Sequence, residues 1–131
     1  MSIQQAITEL QAVLGDRITT SKSDLDLHGQ NETHFPHLPP DAVAYPETTE
    51  EVARIVRLCA ANDCPIIPWG VGTSLEGHAL ALKGGVTIDF VRMDRLLEVH
   101  VADMDCTVQP GITREALNTE LRATGLFFPV D

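Results

Sequence analysis

Two short apolar runs, Ala42–Tyr45 and Pro65–Pro68, enclose a helix start and a helical repeat, and this limits the chain to folds that alternate strands with helices. Thr48-Thr49-Glu50-Glu51, just after Pro46, is an S/T-x-x-E capping box. Val52, Ile55, Val56, Cys59 and Ala60 follow at i, i+3, i+4, i+7 and i+8. That spacing predicts one buried face, with Arg54, Arg57 and Asp63 left in water. The prolines of Pro65-Ile66-Ile67-Pro68 sit near the ends of a predicted strand, where a missing N–H is tolerated.

The rest of the chain fills in around this unit. Ile3, Ala6, Ile7, Leu10, Val13 and Leu14 predict an amphipathic helix closed by Gly15. Residues 16–40, with three prolines and His28, His34 and His37, show no periodicity and are expected to form an irregular lead-in, with a domain boundary near residue 38. Val86–Phe90 reads as a strand, and Leu97, Val99 and Val101, alternating with Glu98 and His100, predict a half-buried one. Cys106–Gln109 can pair back on it through residues 102–105 as a hairpin. A last helix is expected from Thr113, turning Ala116, Leu117 and Leu121 inward and stopping at Gly125. The fold class is α+β with α/β-like alternation.

Composition removes several kinds of function. The chain has 131 residues and a formal charge of −10, from 19 acidic against 9 basic side chains, so a nucleic-acid phosphate backbone would be repelled. No stretch approaches the roughly 20 apolar residues of a membrane-spanning helix. Met1–Gly15 carries Glu9 and no Lys or Arg, which predicts neither a secretory signal nor a mitochondrial presequence. Cys59, Cys64 and Cys106 form no CxxC, so packing in a reducing cytosol is expected rather than a disulfide or zinc site. His34 and His37 lack a third ligand and read as solvent-facing loop residues; no metal is expected. Leu126–Val130 is the most apolar and aromatic stretch, and an apolar run needs a covering element, so further core is expected downstream.

The chemistry lies in Pro68-Trp69-Gly70-Val71-Gly72-Thr73-Ser74-Leu75-Glu76-Gly77-His78, directly after a predicted strand. Glycines let successive peptide N–H groups turn into a concave anion nest, and Thr73 and Ser74 add hydroxyl donors. On these residues alone, a diphosphate cradle and a plain Gly-rich turn both remain open. Gly72-Thr73-Ser74 has no lysine, which excludes a P-loop, and Leu75 stands where G-x-G-x-x-G requires glycine. Trp69 reads as a packing residue that stiffens the loop. Asp89 and Asp94 could each bind a ribose, but Asp94-Arg95 is equally a surface pair, and neither enters the site.

The P-E-T-T-E-E-V helix start, the GVGTSLEGH loop, GGVTIDFVRMDRLLEV, VQPGITREALN and the closing FPVD occur in one order over about residues 38–131. In this the chain resembles the first part of the FAD-binding (PCMH-type) domain of the vanillyl-alcohol-oxidase flavoprotein superfamily, nearest to the family of D-lactate dehydrogenase (cytochrome) and the flavoprotein component of glycolate oxidase. The resemblance implies a small mixed sheet flanked by helices, incomplete at residue 131, with residues 1–37 as a separate lead-in. It also implies that Gly70, Val71, Gly72, Thr73 and Ser74 bind the FAD pyrophosphate through main-chain N–H groups, with Gly77 and His78 near the cofactor and Pro110-Gly111 in a turn beside the nucleotide. Thr73 stands where relatives with covalent flavin carry histidine, so the flavin is expected to be non-covalent.

Such proteins oxidise (R)-2-hydroxy acids such as D-lactate or glycolate to 2-oxo acids and pass electrons through FAD to a cytochrome or quinone-linked acceptor. The second flavin subdomain and the substrate-binding residues are expected beyond residue 131. The chain itself is therefore expected to carry no catalytic residue, to be inactive alone, with flavin retention by the isolated segment left open, and to belong to a cytoplasmic protein that can associate peripherally with the inner membrane. The alternative is a flavin-free structural or regulatory module with the same subdomain fold.

Overall fold

The computed structural model describes residues 1–130; Asp131, the last residue of FPVD, lies outside them. Helix α1 (Ile3–Leu14) is capped by Ser2, whose hydroxyl accepts the Gln5 N–H, and it leads through a 3₁₀ turn into strand β1 (Ile18–Thr19) and short helix α2 (Lys22–Leu27). Strand β2 (Ala42–Ala44), helix α3 (Thr49–Ala61), strand β3 (Ile66–Trp69) and strand β4 (Val86–Asp89) follow. Strands β5 (Leu96–His100) and β6 (Asp105–Val108) form a separate hairpin before helix α4 (Arg114–Leu121).

The main sheet is mixed, in the order β1-β2-β4-β3. β4 is parallel to both neighbours, Val43 and Ile67 flanking Thr87, while β1 joins β2 antiparallel. All four β4 residues are buried, as a central parallel strand covered on both faces requires. β3 takes the edge, where Pro65 and Pro68 cost little ladder bonding.

Helices α1 and α3 share one core with this sheet, built from Ala6, Ile7, Leu10 and Leu14 against Ile55, Cys59, Val86 and Ile88. Residues 3–18 thus pack into the core that residues 42–88 build. Glu51 joins the two parts: it bonds the Arg17 guanidinium and accepts the Glu47 N–H at 3.0 Å, while Thr48 Oγ1 caps Glu51 N at 3.2 Å. The hydrogen bond from Arg17 draws the Glu51 carboxyl below its ordinary range.

Four local expectations are corrected. Residues 16–40 are not wholly irregular, because Ile18-Thr19 extends the sheet and Lys22–Leu27 makes one short helix. Val56 and Ala60 are exposed on α3, whose buried stripe narrows to Ile55 and Cys59 with Val52 and Leu58 beside it, since one helix and one sheet face cover only that side. In the hairpin, an irregularity between Leu96 and Glu98 breaks the alternation and turns Leu97 outward, 48% exposed. Ala116 on α4 is also exposed, leaving Leu117 and Leu121 as the buried pair.

Candidate functional site

Strand β3 delivers the glycine loop. Phe90 N donates to Trp69 O at 3.1 Å, so sheet pairing continues to the foot of the loop before the backbone leaves the sheet. From there Gly70, Val71, Gly72, Thr73 and Ser74, with His78 and Ala79, line one cavity of about 180 Å³. Among the described residues no lysine or arginine lines it, so an anion held here must be met by neutral donors. Ser74 Oγ is buried and has no hydrogen-bond partner among the described residues. A buried hydroxyl left unpaired costs about 1–3 kcal/mol, and a diphosphate oxygen would satisfy it. The donor set therefore fits a dinucleotide diphosphate.

Two glycines in this loop do different jobs. Gly72 has φ +73°, and a Cβ there would fall 2.2 Å from Trp69 Cζ2, so the backbone rests directly on the indole. Gly70 has no atom within 4 Å of its Cβ position, which is open space beside the cavity. Trp69 is 7% exposed and packs beneath the loop as a stiffening element.

The remaining expected site residues are distributed less tightly. Gly77 is buried behind the loop against the Phe35 ring, and His78 is exposed on the cavity rim. Pro110 lies elsewhere, on a more apolar cavity of about 290 Å³ lined also by Val108, Ile112, Leu117 and Phe128. Gly111 adjoins the loop after β4: its N–H donates to Met93 O at 2.8 Å, and a Cβ would lie 1.8 Å from Phe90 O. The close approach of two backbones accounts for glycine at 111. His37 faces Asp26 at 3.2 Å, whereas His34 stacks by Phe35.

Sequence reasoning missed the polar pair beneath the loop. His28, 2% exposed, closes α2 and places Nε2 2.7 Å from Asp89 Oδ2, while its Nδ1–H donates to Asp24 O at 2.8 Å. Asp89 Oδ1 accepts the Val91 N–H at 2.9 Å. The His28 ring also lies 4.7 Å from the Trp69 ring centre. Burial alone would lower the His28 pKa, but the hydrogen bonds to Asp89 and to the Asp24 carbonyl outweigh it and hold the proton above the ordinary histidine value. The sequence signal was an acid, Asp89, ending a buried strand.

Two of the thiols are buried in the core. Burial raises the Cys59 thiol to about 12 and raises Cys64 as well, so both stay protonated at neutral pH.

Comparison with known proteins agrees with the geometry. Residues 40–131 match the model of a family described as FAD binding domain. The chain is 39% identical over 131 residues to a probable mitochondrial D-lactate dehydrogenase of Danio rerio, covering 99% of this chain and 26% of that protein. It is 44% identical over 130 residues to the mitochondrial D-lactate dehydrogenase (cytochrome) of Arabidopsis thaliana, covering 98% of this chain and 23% of the other. Among solved structures, alkyldihydroxyacetonephosphate synthase superposes with a TM-score of 0.82 at 27% identity, over 93% of this chain and 27% of that one. The chain thus spans about a quarter of the length of the relatives it matches.

Proposed function

Since the chain belongs to the FAD binding domain family through residues 40–131, we propose that it forms the diphosphate-holding part of a flavin-dependent (R)-2-hydroxy-acid dehydrogenase. The observation that carries this reading is the unpaired, buried Ser74 hydroxyl in a glycine-lined cavity free of lysine and arginine among the described residues. Gly70–Ser74 present backbone N–H groups and the Thr73 and Ser74 hydroxyls to the diphosphate, and Trp69 keeps that loop stiff from below. When bound, FAD supplies the two-electron acceptor that 2-hydroxy-acid oxidation needs. Thr73 offers no imidazole for a covalent flavin bond, so retention is non-covalent.

Relatives whose names specify D-lactate dehydrogenase and D-2-hydroxyglutarate dehydrogenase support this substrate class. Substrate-binding side chains, and docking of a cytochrome or quinone-linked acceptor, belong to a longer polypeptide that includes this segment. Residues 1–37 lead into the FAD-binding part, and Gly77, His78, Pro110 and Gly111 flank the nucleotide within it. The protein is cytoplasmic or held peripherally at the inner membrane; among the described residues no helix is long and apolar enough to cross a membrane.

The test is anaerobic reduction. In the longer protein, purified with FAD, D-lactate, glycolate or D-2-hydroxyglutarate should bleach the flavin absorbance while L-lactate leaves it unchanged; bleaching by none of the D-acids or glycolate would overturn the substrate assignment.

A further inference from the structure

His28 is held by two partners whose chemistry dictates its protonation. A backbone carbonyl only accepts, so the Asp24 carbonyl 2.8 Å away requires a hydrogen on Nδ1. Nε2 then faces a carboxylate oxygen at 2.7 Å, and this contact is attractive only if a proton lies between the two atoms. Without it, a lone pair opposes a carboxylate inside the protein. The other charged or titratable groups facing the ring are the Asp24 carboxylate on α2 and Tyr45 after β2, whose ring lies 6.2 Å away edge-on and is itself covered by the Arg92 guanidinium at 5.7 Å.

The pair connects to the loop by direct contact. Asp89 ends β4, His28 bridges from α2, Trp69 ends β3 against the imidazole, and Gly72 sits on the six-membered ring of the indole with no room for even a methyl group. These four residues make one column from the sheet to the cavity.

We propose that His28 and Asp89 are a positioning pair for the glycine loop: the proton shared between them fixes Trp69 under Gly72, and its loss releases the indole and loosens the loop. The consequence for flavin rests on the assignment of that loop to the diphosphate; the coupling from His28 to Gly72 does not. Asp89→Asn separates charge from shape. Its Oδ1 can still accept the Val91 N–H, while its amide donates to a neutral Nε2, rebuilding the contact without the shared proton.

The experiment is an NMR pH titration of the His28 ring, the Trp69 indole N–H and the Gly72 amide, in the wild-type chain and in Asp89→Asn. In the wild type all three signals should move with one midpoint, above the ordinary histidine value of 6.5. In the variant, the Trp69 and Gly72 shifts across that midpoint should be lost. A Gly72 amide that stays fixed while His28 titrates overturns the proposal, as does a variant that titrates like the wild type. Where flavin is retained, its dissociation constant should rise across the same midpoint in the wild type only, and a flat wild-type constant overturns the link to binding. A protein that takes up no FAD at any pH contradicts the flavin assignment instead, and the co-titration is judged by itself.

Discussion

Replacing Gly72 by alanine adds one methyl group at the most constrained point of the loop. The added carbon would stand 2.2 Å from Trp69 Cζ2 and 2.5 Å from Cη2, and the backbone has φ +73°. A left-handed conformation costs a non-glycine residue about 1 kcal/mol. Overpacking a buried ring adds about 1–3 kcal/mol, and the indole is 7% exposed and packed against the His28 ring. The sum is a loss of roughly 2–4 kcal/mol, or a fall in Tm on the order of 10 °C. Gly70→Ala is the internal control: its Cβ meets nothing within 4 Å, and no strained φ is present, so stability should change by no more than about 0.5 kcal/mol. Urea and thermal unfolding followed by the emission of Trp69, the one tryptophan in the chain, measure both variants. Equal stability of the two would refute the argument that the loop rests on the indole. Gly72→Val is for the same reason a poor steric probe of the diphosphate site, since it would disturb the fold as well; Gly70 is the cleaner one.

Other outcomes follow from particular contacts. Thr48→Ala should cost about 1 kcal/mol in chemical denaturation, because the Glu51 N–H loses its cap. The Glu51 carboxyl is depressed by Arg17, so its contribution is present above the ordinary glutamate pKa and lost as pH falls through the folded value; Glu51→Gln should flatten the acid limb of the stability–pH curve. The raised His28 pKa acts oppositely: its contribution is complete below the ordinary histidine value and is lost as pH rises through the folded one, so stability should decline on that limb in the wild type and not in Asp89→Asn. Alkylation followed by mass spectrometry should modify half-buried Cys106 before the buried Cys59 and Cys64.

Much of this architecture was legible because it is written locally. The capping box and the i, i+3, i+7 series of Val52, Ile55 and Cys59 define α3 within one stretch of chain, and the apolar run before Trp69 announces a strand ending at the glycine loop. β1 and α2 were missed because two paired residues and six helical ones are too short to show a period, and β1 gains its order from pairing with Val43 and Ala44. Leu97 was misplaced because a register irregularity, unlike a regular strand, leaves no mark in an alternating pattern. The glycine loop stood out locally, its cofactor role came from the family resemblance, and Gly70–Ser74 and His78 line one cavity. The His28–Asp89 contact spans 61 positions and unites a residue from an apparently irregular segment with one from a buried strand, so only tertiary packing reveals it.

The most direct test of the central claim is a FAD titration of the protein followed by quenching of Trp69 emission, with Gly70→Val measured in parallel. A diphosphate held on Gly70–Ser74 predicts saturable quenching in the wild type, flavin released intact on acid precipitation, and at least a tenfold loss of affinity in Gly70→Val with its unfolding midpoint unchanged, about 1.4 kcal/mol of binding energy. Identical FAD affinity in the wild type and Gly70→Val would contradict it.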